Sequence, residues 1–577
     1  MRRSYTSIRA GSRRAFLAIT WALAITWALV GSLTGEARPA SAASSWDCSN
    51  ARDIALVNGR ILTMTTPEQV SSVVIRDGLV VHVGPGGEEH YTPCTKVFDL
   101  KGRIATPGLI DAHLHFVMHI FRPGYDVRLD TATTVADVLK LIRDRAAGVP
   151  AGKWVSSAGG WSPYQLAEKR MPTLAELDAA SPNSPVFLYT AFWPAGVPAN
   201  QAATNSLGKS WLTAKGITVG SDGAISAENR QSSLAYHLLR IEGTPADQKR
   251  AAQEFMAYLT SVGVTTVNDM GGARDSLIPP GAPAAPSPDK PYDVILDLWR
   301  EHKLTTRLRL NNLDGSGPLG GELAAYLKYA FPNFGDPMLG TLCAGEFITP
   351  LPTVRGKSGM PEIPTPDYSG AAMQVAEHRW CHAQHTDFTA TSNRFIDVWE
   401  QVNATYPIAD LHWRLEHLFT IDAPSLARLK KLGAGATVAP IMYLTPWGVT
   451  PYRTIVESGI PVGAASDGGN FEPVNPWVHV YQMVTSKDAS GKALAPDQTI
   501  SRLEAVKLYT VNNAWFMMDS RFGSMAPGNF GDVVVLDRDL FAIPDDDIRN
   551  VSSVLTIVDG KVVHRSGDMT PVARRGR

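Results

Sequence analysis

The run Thr106-Pro107-Gly108-Leu109-Ile110-Asp111-Ala112-His113-Leu114-His115 closes an apolar stretch with two histidines two residues apart. On an extended strand, side chains at i and i+2 leave the same face, so the imidazoles of His113 and His115 aim at one point. Imidazole pairs of this kind bind zinc or a similar divalent ion. Taken alone, the pair is equally compatible with two incidental histidines at a strand end, and the decision passes to the elements that would carry it.

Helical patterns at 134–147, 245–262, 394–402, 423–432 and 500–513 alternate with short apolar runs such as 264–267. Strands alternating with helices predict parallel βα units, and this many units favours a TIM-like (β/α)8 barrel over an open sheet. If the strand carrying His113 is the barrel's first, both imidazoles sit at its C-terminal end, where such barrels keep their catalytic groups. Short β-type runs at 54–57, 61–64, 72–75 and 79–83, with a hairpin signal at Asp77-Gly78, recur at 532–536, 554–558 and 561–564 around Asp559-Gly560. These runs read as a small β-sandwich domain formed by both chain ends. Segments 279–291 and 350–366, rich in Pro, Gly and Ser, read as loops over the barrel mouth. The expected plan is a signal peptide at 1–42, sandwich parts at 43–104 and 521–567, the barrel at 105–520 and a tail at 568–577.

The segment 107–115 resembles the signature of the amidohydrolase superfamily, and the likeness runs from Ala55 to His564. The branch it resembles is amidohydrolase family 3, which includes N-substituted formamide deformylases. Supporting segments are Gly160-Trp161 with Arg170-Met171-Pro172-Thr173, Pro185-Val186-Phe187-Leu188, Gly263-Val264-Thr265-Thr266, Gly523-Ser524-Met525 and Gly531-Asp532-Val533-Val534-Val535-Leu536. The resemblance implies a metal-bearing barrel with ligands at the ends of strands one, four, five, six and eight. It also implies hydrolysis of a non-peptide carbon–nitrogen bond in a small molecule.

On that pattern His113 and His115 are the strand-one ligands. The run from Trp380 to His385 matches strand five, and His385 is favoured over His382 because it directly precedes Thr386-Asp387 and the next helix. Arg414-Leu415-Glu416-His417 matches strand six, with His417 as ligand and with Glu416 and His412 as packing or supporting groups. Ala464-Ala465-Ser466-Asp467-Gly468, after the apolar strand 460–462, resembles the strand-eight motif. Asp467 is thereby implied as a ligand and as the base that takes a proton from the attacking water and delivers it to the leaving nitrogen. Ser-Asp-Gly alone would fit a surface turn; the upstream strand and the order of the motifs decide against that.

Two departures from the family pattern matter. Much of the superfamily bridges two metals with a carboxylated lysine, and no lysine stands in a matching strand-four context. Glu346, closing the run Leu339-Gly340-Thr341-Leu342-Cys343-Ala344-Gly345-Glu346, takes that place; if it is only an ion-pair residue, a one-metal site follows. Many relatives also carry a Gly-His pair where this chain has Tyr189-Thr190-Ala191-Phe192-Trp193-Pro194. Substrate preference therefore does not transfer, and Tyr189, Phe192 and Trp193 either shape a more apolar pocket or pack the barrel mouth. The implied cofactor is one or two divalent ions, Zn2+ foremost. A lactone or phosphoester hydrolase on the same site, a metal-free isomerase and a non-catalytic binding protein are the competing readings.

The composition fits these expectations. A chain of 577 residues, 44% apolar and 19% charged, can bury a large core and exceeds one ordinary domain. A net charge of -1 without long basic runs leaves no electrostatic footprint for nucleic acid, so a small-molecule substrate is expected and self-association is left open. Arg2, Arg3, Arg9, Arg13 and Arg14 precede an acid-free apolar stretch at 15–33, and Ser12-Arg13-Arg14-Ala15-Phe16-Leu17 resembles a twin-arginine export signal. Ala40-Ser41-Ala42 supplies a cleavage pattern, which points to a periplasmic or extracellular protein; uncleaved, the stretch would be its only membrane contact. Of the cysteines Cys48, Cys94, Cys343 and Cys381, the pair Cys48–Cys94 is preferred, since both flank the first strand region.

Overall fold

The computed structural model describes residues 47–190, 201–271, 290–311, 313–314, 322–349, 364–444, 448–469 and 472–572. The signal-type segment, Phe192 and Trp193 lie outside them, as do most of the two Pro-rich segments.

Eight short parallel strands form a ring: β1 (Leu109–Leu114), β2 (Val264–Asp269), β3 (Arg307–Leu310), β4 (Leu339–Thr341), β5 (Ala383–His385), β6 (Arg414–Glu416), β7 (Gly435–Val438) and β8 (Val462–Ala464). Pairing runs β4-β3-β2-β1 on one arc and β5-β6-β7-β8 on the other. Parallel bridges between Ala344 and His382 and between Leu114 and Gly468 close the circle. The result is an α/β barrel of the TIM type. Its strands are buried almost throughout, because helices cover the outside and side chains fill the inside, so they read as continuous apolar runs rather than alternating ones.

The covering helices carry their own start signals. Pro245–Ser261 opens on a capping box between Thr244 and Asp247, with proline in the first turn, and buries Ala252, Phe255, Met256 and Leu259 in the main core. Thr389–Thr405 buries Phe395, Ile396 and Trp399 in the same core. Among the described residues no helix is long and apolar enough to cross a membrane.

Three expectations change. The helix expected at 134–147 forms as Val135–Ala146 but does not cover the barrel; it buries Val135, Val138 and Ile142 in a separate core with Val155, Val186 and Leu188. That core belongs to a five-stranded sheet, Ala224–Ile225, Ala202–Thr204, Val186–Tyr189, Val155–Ala158 and Tyr125–Asp126, inserted between β1 and β2. Local periodicity identifies a strand; it does not say which strand will be its neighbour. The helix expected at 500–513 is broken into Arg502–Leu508 and Asn513–Phe516. The break lets Asn513 donate to the carbonyls of Ile110 and Ala464 and so tie β1 to β8. Ile104–Pro107, expected to open the barrel at 105, belongs to an outer sheet, and the chain passes into the barrel at Gly108.

The two chain ends meet in that outer six-stranded sheet, where Val533–Leu536 pairs antiparallel with Ile104–Pro107. A four-stranded sheet holds Leu79–Gly84, Ser72–Arg76, Ile54–Val57 and Lys96–Asp99. Ile54, Leu56, Ile75 and Phe98 from one and Ile61, Val533, Val535 and Ile557 from the other share one apolar core. Disulfides join Cys48 to Cys94 and Cys343 to Cys381, the latter linking the segments that follow β4 and precede β5.

A buried ion pair fastens the C-terminal strands to the barrel. Arg307 on β3 donates to both carboxylate oxygens of Asp532, at 2.7 and 2.9 Å. Asp532→Ala would leave the wholly buried Arg307 side chain with only the more distant Asp559, at 3.9 Å, and the Pro337 carbonyl, a change expected near the lower end of the roughly 3–5 kcal/mol that breaking a buried pair costs. A denaturant titration checks this; a midpoint unmoved from the parent would mean the pair contributes nothing.

Candidate metal centre

All six candidate residues leave the ring at one end. His113 lies near the end of β1 and His115 just past it, Glu346 beyond β4, His385 at the end of β5, His417 directly after β6 and Asp467 shortly after β8. Glu346 is the hub. Its Oε2 lies 3.0 Å from His385 Nδ1, 3.1 Å from His417 Nε2 and 3.6 Å from His113 Nε2, while Oε1 lies 3.6 Å from His115 Nε2. Asp467 Oδ1 lies 3.2 Å from His115 Nε2 and 3.4 Å from His113 Nε2, and Oδ2 lies 3.6 Å from His417 Nδ1. Two overlapping groups of three donors result, His113 with Glu346 and His417, and His113 with His115 and Asp467, each with its donor atoms within 4.8 Å of one another.

The backbone is bent to achieve this. His417 and Asp467 have φ of +75° and +53°, a left-handed turn at the strand end that aspartate tolerates and histidine adopts at some cost. Gly345 has φ of +145°, and a Cβ there would sit 2.0 Å from the Ala383 carbonyl oxygen. No larger residue lets the chain pass so close to β5 just before Glu346. Gly345→Ala should therefore shift the carboxylate and cost about 100-fold in turnover, as displacements of about 1 Å do. Gly370→Ala, on a helix with open space around the position, is the control and should match the parent.

Opposite charges shift one another inside the site. Burial pushes the Glu346 carboxyl up, but His385, His417 and His113 together outweigh it and hold it well below the usual carboxylate range. Asp467 shows the same contest, with burial opposed by His417, His113 and His115, and it too ends low. Burial works against a charged His113, yet Glu416, Asp467 and Glu346 raise it well above the ordinary imidazole value. Glu416 stands 3.2 Å behind His113 Nδ1 and receives a 2.8 Å hydrogen bond from Arg414 and another from Thr437.

Comparison with known proteins then decides the family. A profile of the amidohydrolase family matches residues 96–564, most of the chain. The chain belongs to amidohydrolase family 3. Membership makes it a hydrolase acting on carbon–nitrogen bonds. It is 25% identical to an N-substituted formamide deformylase of Arthrobacter pascens, over 88% of this chain and 98% of that protein. It is 23% identical to the putative amidohydrolase YtcJ of Bacillus subtilis, again over 88% and 98%. In fold it is similar to an uncharacterized metal-dependent hydrolase of Pyrococcus horikoshii, with a TM-score of 0.57, 20% identity, and 85% of this chain and 99% of that one covered. An atrazine chlorohydrolase of Arthrobacter aurescens, solved with zinc and atraton, aligns with a TM-score of 0.52 at 14% identity, covering 90% and 97%.

Around these six residues the structure sorts the remaining candidates. His382 points away from the six: its Nδ1 donates to the Ala344 carbonyl and its Nε2 meets the Tyr368 hydroxyl, both at 2.9 Å. His412 donates to the Trp515 carbonyl. Tyr189, a candidate pocket residue, instead stacks on Tyr236 at 5.0 Å within the inserted sheet's own core.

Three acidic residues escaped the sequence reading. Asp111 accepts from the backbone N–H of His113 at 3.2 Å and of Ser466 at 3.0 Å, locking β1 against the loop after β8. Its signal was available, since it shares strand parity with His113 and His115. Asp269 ends β2 and accepts from Val117 N–H at 3.2 Å and Tyr292 at 3.1 Å. Glu472 is buried with no hydrogen-bond partner on either oxygen among the described residues; burial, then the charge of Asp467, push its pKa well above the usual range.

Proposed function

We propose that this protein is an exported, metal-dependent amidohydrolase that cleaves a non-peptide amide-type bond of a small molecule with a water. The observation that carries it is the convergence of His113, His115, Glu346, His385, His417 and Asp467, with neighbouring donor atoms 3.0–3.6 Å apart.

The donor set fits a divalent ion. With Nδ1 of His113 turned to Glu416 at 3.2 Å, its Nε2 is buried without an aligned hydrogen-bond partner, as is Nδ1 of His417, and a buried imidazole nitrogen left that way is costly unless something coordinates it. His113, His115, His385 and His417 would hold one or two ions, Zn2+ foremost, with Asp467 completing one group. Glu346 would bridge, since Oε1 faces His115 while Oε2 faces His385 and His417. A bound ion of this kind polarises a carbonyl oxygen and makes water acidic enough to attack near neutral pH.

The chain's own residues do the rest. Glu416 and Arg414 fix the plane and tautomer of the His113 ring from behind. His115 Nδ1 donates to the Gly271 carbonyl at 3.0 Å, which turns its Nε2 into the site. Asp467, held ionised, accepts a proton from the water as its oxygen adds to the carbonyl carbon. When the carbon–nitrogen bond breaks, the same carboxyl returns that proton to the departing nitrogen.

Export is supported by the twin-arginine-type leader and by the closure of both cysteine pairs, which suits an oxidising compartment. The two outer sheets, sharing one core, are read as a β-sandwich built from both chain ends. The neutral net charge suits a small-molecule substrate and not nucleic acid. A panel of N-substituted formamides, acylated amines, lactones and phosphotriesters, assayed on metal-loaded protein, tests the reading. Turnover confined to the amide-type substrates is expected; turnover of lactones or phosphotriesters alone would overturn it.

A further inference from the structure

Away from the barrel, on the four-stranded sheet, a second group of donors comes together. His82 lies on the strand Leu79–Gly84, and Glu89 and His90 lie on the single turn Glu88–His90 that follows it. The two imidazole rings are 5.2 Å apart, Glu89 Oε1 is 3.4 Å from His90 Nε2, and one donor atom from each of the three residues lies within 4.8 Å of the others. His82 Nε2 is buried and has no hydrogen-bond partner among the described residues. An imidazole nitrogen left so beside a second imidazole and a carboxylate has the surroundings of a ligand awaiting a cation.

The backbone keeps that geometry open. Gly87 has φ of +105°, and a Cβ there would lie 2.6 Å from His82 Cδ2 and 2.9 Å from Val74. Any larger residue would drive the turn off the ring. The turn is tied down at its C-terminal end: Arg76 donates to the His90 carbonyl, Thr92 donates to Asp53 at 2.6 Å, and Cys94 is bonded to Cys48. Glu89 is 67% exposed, so water can fill the remaining coordination positions.

We propose that His82, Glu89 and His90 form a second cation site, taking a late first-row divalent ion. Two imidazoles and one carboxylate are a borderline donor set that suits Zn2+ and Cu2+ and excludes Mg2+ and Ca2+, which prefer all-oxygen shells. Occupied, the site clamps the turn to the sheet and adds to the stability of the folded state, since the unfolded chain does not hold the three ligands in this arrangement.

The test uses tag-free protein with its barrel ions already loaded, titrated with Zn2+ by calorimetry and counted by elemental analysis after desalting. One further equivalent of Zn2+ and a rise in Tm on its addition are expected. His82→Ala should abolish both, and Glu89→Gln should weaken the added equivalent at least tenfold. His113→Ala should keep it while losing barrel metal, so failure of the barrel reading is distinguishable from failure of this one. Mg2+ in place of Zn2+ should give no added equivalent. If His82→Ala does not fold, the exposed Glu89→Gln decides. Zn2+ binding in Glu89→Gln and His82→Ala equal in number and strength to the parent, or no extra equivalent in the parent, would overturn the proposal.

Discussion

Asp467→Asn is expected to lower kcat by about 10⁴-fold, the upper end of what acid–base groups contribute, while the barrel keeps its metal. The upper end applies because one carboxyl serves both halves of the reaction, first as base and then as acid. The substitution is mild for the fold, since asparagine also adopts the left-handed backbone that Asp467 occupies at φ of +53°. It removes the charge and proton affinity while leaving an oxygen where Oδ1 meets His113 and His115 at 3.4 and 3.2 Å. KM should change little, because the interaction lost is one made with the moving proton in the transition state. Steady-state kinetics on whichever amide the panel identifies, with elemental analysis alongside, reads both parts. A kcat within tenfold of the parent would remove Asp467 from proton transfer. Loss of metal with loss of turnover would make it a ligand first.

What the sequence disclosed follows the range of the forces involved. His113 and His115 were legible because strand parity is a local rule, and the same rule would have included Asp111. His385 separates from His382 by its place directly before Thr386-Asp387 and the next helix, and His382 is bonded to Ala344 and Tyr368 on the far side. Glu346 was legible only as the end of an apolar run. Residues 342–345 between it and β4 follow no regular pattern, and its position depends on Gly345 passing close to Ala383. The inserted sheet at 125–225 was not legible as an insertion, because which strand pairs with β1 is settled by the packing of Leu109 beside the distant Val264 and not by the pattern of any one segment. Glu472 had no signal. Its backbone lies against distant chain, the loop at Gly160, whose added Cβ would sit 3.1 Å from the Glu472 carbonyl oxygen.

His113→Ala should have the second large effect, stripping the barrel of its metal and of turnover together. His113 is the member common to both three-donor groups, so its loss leaves each with two donors. Removing even a hydrogen-bonded supporter of a ligand costs about 10–100-fold in metal affinity, and removing the shared ligand should exceed that. The fold should survive, because Glu416, left without the ring, keeps its bonds from Arg414 and Thr437. His382→Gln, on the outward face, should retain the parent metal content. Chelation of the parent supplies the matching test: a ligand present at 100 times its Kd stabilises the folded state by about 2.7 kcal/mol, so the stripped parent should melt lower and regain its Tm and turnover on adding Zn2+. In His113→Ala, chelator and Zn2+ should shift neither the barrel-metal count nor turnover. A variant that still carries the parent complement of barrel metal, or a chelated parent with undiminished turnover, would leave the six convergent residues as a buried ion-pair network and the reaction without its electrophile.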